Sequence, residues 1–144
     1  MKVVFDTNIW VSAIIWGGIP DRILLLGETQ SITISMSQEL LNELERTFSK
    51  SKLQPKLQAL DLTVSSVMNL IRESVIVYPI DEITVPNLRD PDDNIVVATA
   101  IAAQADVMIT GDRDLLVLET YQGISIMTAK DFLQSLETGD FQEK

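Results

Sequence analysis

The sequence predicts an α/β fold in which a parallel sheet is covered on both faces by helices. Three observations carry this. Short apolar or β-branched runs (VVF at 3–5, SITISM at 31–36, SVIVYPI at 74–80, DVMIT at 106–110 and ISIM at 124–127) read as buried strands. The segments between them have helical periodicity, and strands alternating with helices make a parallel sheet. Finally, acids stand directly after several strands, at the sheet edge where open α/β folds bind ligands.

Taken in order, Val3, Val4 and Phe5 run straight into Asp6, Thr7 and Asn8, so the first strand ends in a turn. A short helix over residues 7–15 follows, broken by Gly17, Gly18 and Pro20. A second helical piece over 21–28 turns Ile23, Leu24 and Leu26 inward. Ser37 is a good N-cap for a helix over 38–48, with Leu40, Leu41, Leu44 and Phe48 on one stripe. Residues 46–56 carry Arg46, Lys50, Lys52 and Lys56, four of the eleven basic residues. Thr63 caps a helix through Arg72, and the third strand leads into a loop with Pro79 and Pro86. RDPDDN then opens an unusually apolar helix, IVVATAIAA. Asp90 is its N-cap, Pro91 its first residue, and Asp93 lies in its first turn. The fourth strand ends at GDRDLL, a further loop-to-helix turn, and the fifth precedes a helix over 129–136. Residues 1–136 therefore read as one domain and 137–144 as a polar, frayed tail.

Composition narrows the chemistry. The chain has 144 residues, 46% of them hydrophobic, enough for one domain with a substantial core. It has no cysteine, which removes disulfides and thiolate metal sites. It has no histidine either, which removes Ser-His and Cys-His nucleophile systems and nearly all zinc chemistry. Any catalysis must run on carboxylates, hydroxyls, amines or a hard metal. No apolar run reaches the roughly 18 residues of a membrane span, and the N-terminus lacks the pattern of a secretory leader, so a cytoplasmic protein is expected. The net charge is −10, which repels a phosphate backbone unless the charge is unevenly placed or masked by metal.

Asp6 and Asp112 each follow a strand, Asp93 sits in the first turn of a helix beside the sheet, and Glu43 lies mid-helix after the second strand. Each has a plain structural reading. Asp6, Asp93 and Asp112 can cap helices, and Glu43 can be a solvated helix residue, with Glu45 flanking the apolar stripe as closely. Together they are harder to explain by capping. Two unit charges about 4 Å apart repel by roughly 4 kcal/mol at an effective dielectric near 20, so four converging carboxylates need a cation. Hard oxygen ligands without histidine point to Mg²⁺ or Mn²⁺, which activates water and polarises a phosphodiester.

Other features are weaker. Trp10 and Trp16 read as packing residues rather than base-stacking platforms. The basic run at 46–56 reads as a solvated loop that could rim the acidic site. Asp90, Asp92 and Asn94 have the spacing of a calcium loop, but Ile95 and Ile101 stand where its Gly and Glu belong.

VVFDTN, the S-QELLNELERTF segment around Glu43, RDPDDNIVVATA, ADVMITGDRDLL and GISIMTAKDFL, in this order and spacing, resemble the PIN-domain ribonucleases. Within these the chain is similar to the VapC-related toxin components of type II toxin–antitoxin systems. The likeness covers essentially the whole chain. It implies a three-layer α/β/α sandwich around a parallel sheet of four or five strands. It also implies an Mg²⁺ or Mn²⁺ site at Asp6, Glu43, Asp93 and Asp112, with Asp90 and Asp114 as supporting acids and Asn8 and Thr110 orienting the ligands. The activity implied is hydrolysis of RNA by water that the ion activates, often by a homodimer, with a cognate antitoxin as protein partner. Lys50, Lys52 and Lys56 are the expected contacts to the RNA backbone.

Two other chemistries share parts of this pattern. A haloacid-dehalogenase-type phosphatase wants an Asp at both ends of D-x-D, where this chain has Asn8, and length for a cap domain. A receiver domain shares Thr110 and a lysine, Lys130, after the last strand, but needs an Asp after the third strand, where Tyr78, Pro79 and Ile80 stand. An inactive PIN fold that only binds a partner is a third alternative, against which the full set of acids argues.

Overall fold

A computed structural model describes residues 1–17, 25, 27, 31–81 and 91–138, with backbone alone at 91 and 92. The helix expected over 21–28 (save Leu25 and Gly27, both helical), the Pro86 loop, the Asp90 cap and the end of the tail lie outside the described residues.

The strands are β1 (Lys2–Phe5), β2 (Thr33–Met36), β3 (Val75–Val77), β4 (Val107–Ile109), β5 (Thr120–Tyr121) and β6 (Ile124–Met127). The helices are α1 (Thr7–Val11), running on as a π-helical turn at Ser12–Trp16, then α2 (Gln38–Phe48), α3 (Gln54–Ala59), α4 (Val64–Ser74), α5 (Pro91–Ala103), α6 (Arg113–Leu116) and α7 (Ala129–Thr138). They form one six-stranded sheet in the order β3-β2-β1-β4-β6-β5, flanked by helices. All neighbours are parallel except β5 and β6. The α/β class and the parallel centre agree with the sequence; the count of four or five strands does not. The extra strand is the two-residue β5, folded back on β6 through Gln122 and Gly123, both at positive φ (49° and 82°). Two such residues make the tight turn whose twist matches a hairpin, and a two-residue strand has too short a pattern to read.

The remaining boundaries shift for local reasons. β3 is shorter than 74–80 because Ser74 still belongs to α4, bonding the Leu70 carbonyl, and pairing ends after Tyr78 N–H donates to Met36 O; Pro79 has no N–H to continue. At the end of the basic segment, Leu53 and, one helical turn on, Leu57 are buried and anchor α3. The last helix runs on to Thr138.

Two features set up the functional edge. Chain order leaves β1 for β2 and β3 on one side and returns to β4 on the other, so the topological switch lies between β1 and β4. A crevice forms there, outside the carboxyl ends of the strands. Phe5 pairs with Ile109, which brings the next residues, Asp6 and Thr110, together. The second feature is α5, apolar on every side and packed against β1, β2, β4 and α2. A helix of that composition belongs in the interior, and its burial carries its first turn to the same edge.

Candidate active site

Asp6 directly follows β1 and is the N-cap of α1, with extended backbone (φ −64°, ψ 157°). It is only 7% exposed. Its Oδ1 accepts from Thr7 N at 2.7 Å, and its Oδ2 accepts from Thr110 Oγ1 at 2.7 Å. The Asp6 backbone N–H donates to Ile109 O at 2.9 Å, continuing the β1–β4 ladder. The Thr110 hydroxyl also accepts from Asp112 N at 3.0 Å, so a single side chain after β4 fixes both acids that leave the two central strands. Asp112 caps α6 by accepting from Asp114 N at 2.9 Å.

Glu43 reaches the edge from α2. Ser37, fully buried, caps that helix through Leu40 N and shares a 2.7 Å hydrogen bond with the Thr99 hydroxyl of α5. The bond pins the start of α2 to the helix that carries Asp93. Six residues on, Glu43 Oε1 accepts from Thr7 Oγ1 at 2.9 Å. Thr7 thus holds Asp6 through its backbone and Glu43 through its hydroxyl. Sequence reasoning gave Thr7 no role; its place inside D-T-N, next to an acid that ends a strand, was the available signal.

Asp93 is 5% exposed in the first turn of α5. One oxygen each of Asp93, Asp112 and Asp114 lies within 4.8 Å of the others. Asp6 and Glu43 stand outside this trio, but Asp6, Glu43, Asp93 and Asp112 all line one cleft of about 430 Å³. The exposed Arg46, Lys50 and Lys52 line it as well, as does Asn8. Arg46 lies three residues after Glu43 on α2 and so shares its face. Lys56 is not among the lining residues; its ammonium lies 4.5 Å from the centre of the Trp16 ring. Asp90 lies outside the described residues. Trp10 is core, 1% exposed and 5.1 Å from Phe5 between ring centres, whereas Trp16 is 67% exposed and not the packing residue expected.

The donor set suits a hard divalent cation. Three carboxylates, Asp93 from the first turn of α5 and Asp112 and Asp114 from the turn that opens α6, offer oxygens close enough to share one ion, and the chain has no histidine or cysteine to compete. Among the described residues no helix is long and apolar enough to cross a membrane.

Comparison with known proteins bears on this site. At 20% identity the fold matches a chain of the VapBC2 complex of Rickettsia felis, solved bound to a DNA fragment from its promoter, with TM-score 0.59 over 88% of this chain and 97% of that one. It also matches a chain of VapBC-1 from nontypeable Haemophilus influenzae, at 17% identity and TM-score 0.54, over 90% and 99%. In sequence the chain is 31% identical to the uncharacterized protein MJ1680 of Methanocaldococcus jannaschii over 146 aligned positions, 95% of this chain and 92% of that protein. The family model described as PIN domain matches residues 2–114, a span that holds all the cleft acids, and the chain belongs to the PIN domain family.

Proposed function

We propose that this protein is an Mg²⁺- or Mn²⁺-dependent endoribonuclease, the toxin of a type II toxin–antitoxin pair. The observation that carries the reading is the cleft at the β1–β4 switch, where Asp6, Glu43, Asp93 and Asp112 share one wall surface and Asp93, Asp112 and Asp114 crowd within 4.8 Å. PIN domains are typically nucleases, and the likeness to chains of two VapBC complexes supports a toxin with a cognate antitoxin partner. Homodimerisation and a cytoplasmic location belong to the same reading.

Asp93, Asp112 and Asp114 would hold the ion, with Asp6 completing the set. The ion supplies charge neutralisation at the scissile phosphate and a water acidified toward neutral pH. Thr110 and the Thr7 N–H keep the Asp6 carboxylate in one orientation; such outer hydrogen bonds commonly matter 10- to 100-fold for metal sites, as an order of magnitude. Glu43, held by the Thr7 hydroxyl, is the proton acceptor for the attacking water. Asn8 orients substrate or ligand from the cleft wall. Lys50 and Lys52, with Arg46, take the RNA backbone and offset the net charge of −10 locally. The test is cleavage of RNA by purified protein with Mn²⁺, with EDTA, and in Asp6→Asn and Asp93→Asn. Activity that needs the ion and is lost in both folded variants is expected; equal cleavage by wild type and variants would overturn the proposal.

A further inference from the structure

Trp16 is 67% exposed, yet it is held by its surroundings. It ends the π-helical turn that follows α1, and the helix stops at Gly17 with φ 69° and ψ −140°, a conformation open essentially to glycine. Gly17 N–H donates to Ser12 O at 2.9 Å, the wide i→i−5 bond. A regular helix would align Trp16 with the buried Ile9 and Ala13, seven and three residues earlier; the wider turn takes it off that face, and such turns are frequent at functional sites. Lys56 Nζ lies 4.5 Å from the ring centre, a cation–π contact that steadies the indole and leaves two-thirds of it in solvent.

The position matters as much as the exposure. The segments leading into this contact wall the acidic cleft: α1, which runs on into the π-helical turn, gives it Val11, and the chain leading into α3 gives it Lys50, Lys52 and Leu53. Trp16 is ten residues beyond Asp6 along one helical rod, about 15 Å at helical rise. That is farther than the nucleotide at the ion would reach. A flat ring beside Lys56, five residues past Val11 of the cleft wall and across from the segment that carries Lys50 and Lys52, fits single-stranded nucleic acid. Lysines follow the backbone while an unstacked base lies on the ring.

Resting on the nuclease reading above, we infer that Trp16 is a stacking platform for one nucleobase of single-stranded RNA, a few nucleotides from the scissile phosphate. Trp16 and Lys56 thereby select single strands over duplex, because paired bases offer no free face.

The experiment uses the full chain in EDTA, so that nothing is cut, with a single-stranded oligouridylate and its duplex with oligoadenylate as probes. Trp10 is buried, so fluorescence change reports Trp16. The single strand is expected to quench the emission and the duplex to leave it nearly unchanged. Trp16→Ala should weaken single-strand binding about 5- to 150-fold, the usual worth of one base–aromatic stack, and Trp16→Phe should restore most of it. One abasic position along the oligonucleotide should cost wild type the same factor and cost Trp16→Ala nothing more, a coupling that a merely structural role would not give. Thermal melts verify that both variants fold. Unchanged single-strand affinity in Trp16→Ala overturns the inference, the more so if the variant loses self-association, which would make Trp16 a protein contact. RNA binding and cleavage that persist in that case leave the nuclease reading standing, whereas no RNA binding or cleavage by wild type removes both.

Discussion

On the floor of the cleft, Asp6 and Asp93 are buried, and Asp6 accepts hydrogen bonds on both carboxylate oxygens. At its rim, Arg46, Lys50 and Lys52 are long, exposed side chains on the end of α2 and the turn after it. The floor is assembled from residues up to 106 positions apart, brought together by β1, β4 and α5; the rim comes from one short stretch of chain. On the proposed function, position matters on the floor, where a small displacement would spoil the ligand set, and charge matters at the rim, where geometry is loose. Floor substitutions should act on chemistry and ion binding, rim substitutions on affinity and its dependence on salt.

The largest expected effect is at the floor. Asp6→Asn or Asp93→Asn should lower RNA cleavage about 10³-fold or more, the rate equivalent of several kcal/mol of lost charge stabilisation. RNA affinity in EDTA should stay within a few-fold. A variant that keeps its turnover but loses affinity would erase the distinction between the two regions.

Ion binding sharpens the same contrast. A ligand that binds only the folded state stabilises it, so on the proposed function Mn²⁺ at a hundredfold excess over its Kd should stabilise the wild type by about 2.7 kcal/mol, seen as a higher Tm. The gain should vanish in Asp93→Asn and survive when Lys50 and Lys52 are replaced. Thr110→Ala should cost about 10- to 100-fold in Mn²⁺ affinity or activity, since it frees both Asp6 and the Asp112 turn; Thr110→Ser keeps the hydroxyl and should recover most of the loss.

How much of this was legible in the sequence follows the same division. The central strands, the capped helices and the acids at their ends were readable because each is local: an apolar run, a Ser37 or Thr63 cap, an Asp after a strand. Grouping was not readable, because it depends on register. That Asp114 joins Asp93 and Asp112 follows from the turn at Asp112, and that Asp6 meets Thr110 beside them follows from the Phe5–Ile109 pairing. Glu43 and Glu45 were indistinguishable by helical position. Their difference is tertiary: Glu43 meets Thr7 of α1, and Glu45 faces Arg72 at 4.0 Å. Trp16 was misread because a π-helical turn shifts the face that a regular helix would have buried.

The smallest effect belongs to the rim. Replacing Lys50 and Lys52 should lower the slope of log affinity against log salt by about 0.7 for each lysine on single strands. Affinity should fall at low salt by similar factors for unrelated sequences, with kcat little altered. An unchanged slope would take these lysines out of the substrate path and leave Arg46 as the cleft's basic contact.

The most direct test of the account is anomalous diffraction from a crystal of this protein soaked in Mn²⁺. A peak is expected in the β1–β4 cleft, bonded to oxygens of Asp93, Asp112 and Asp114, with Asp6 and Glu43 around it. An empty cleft at saturating Mn²⁺, in protein that still cleaves RNA, would contradict it.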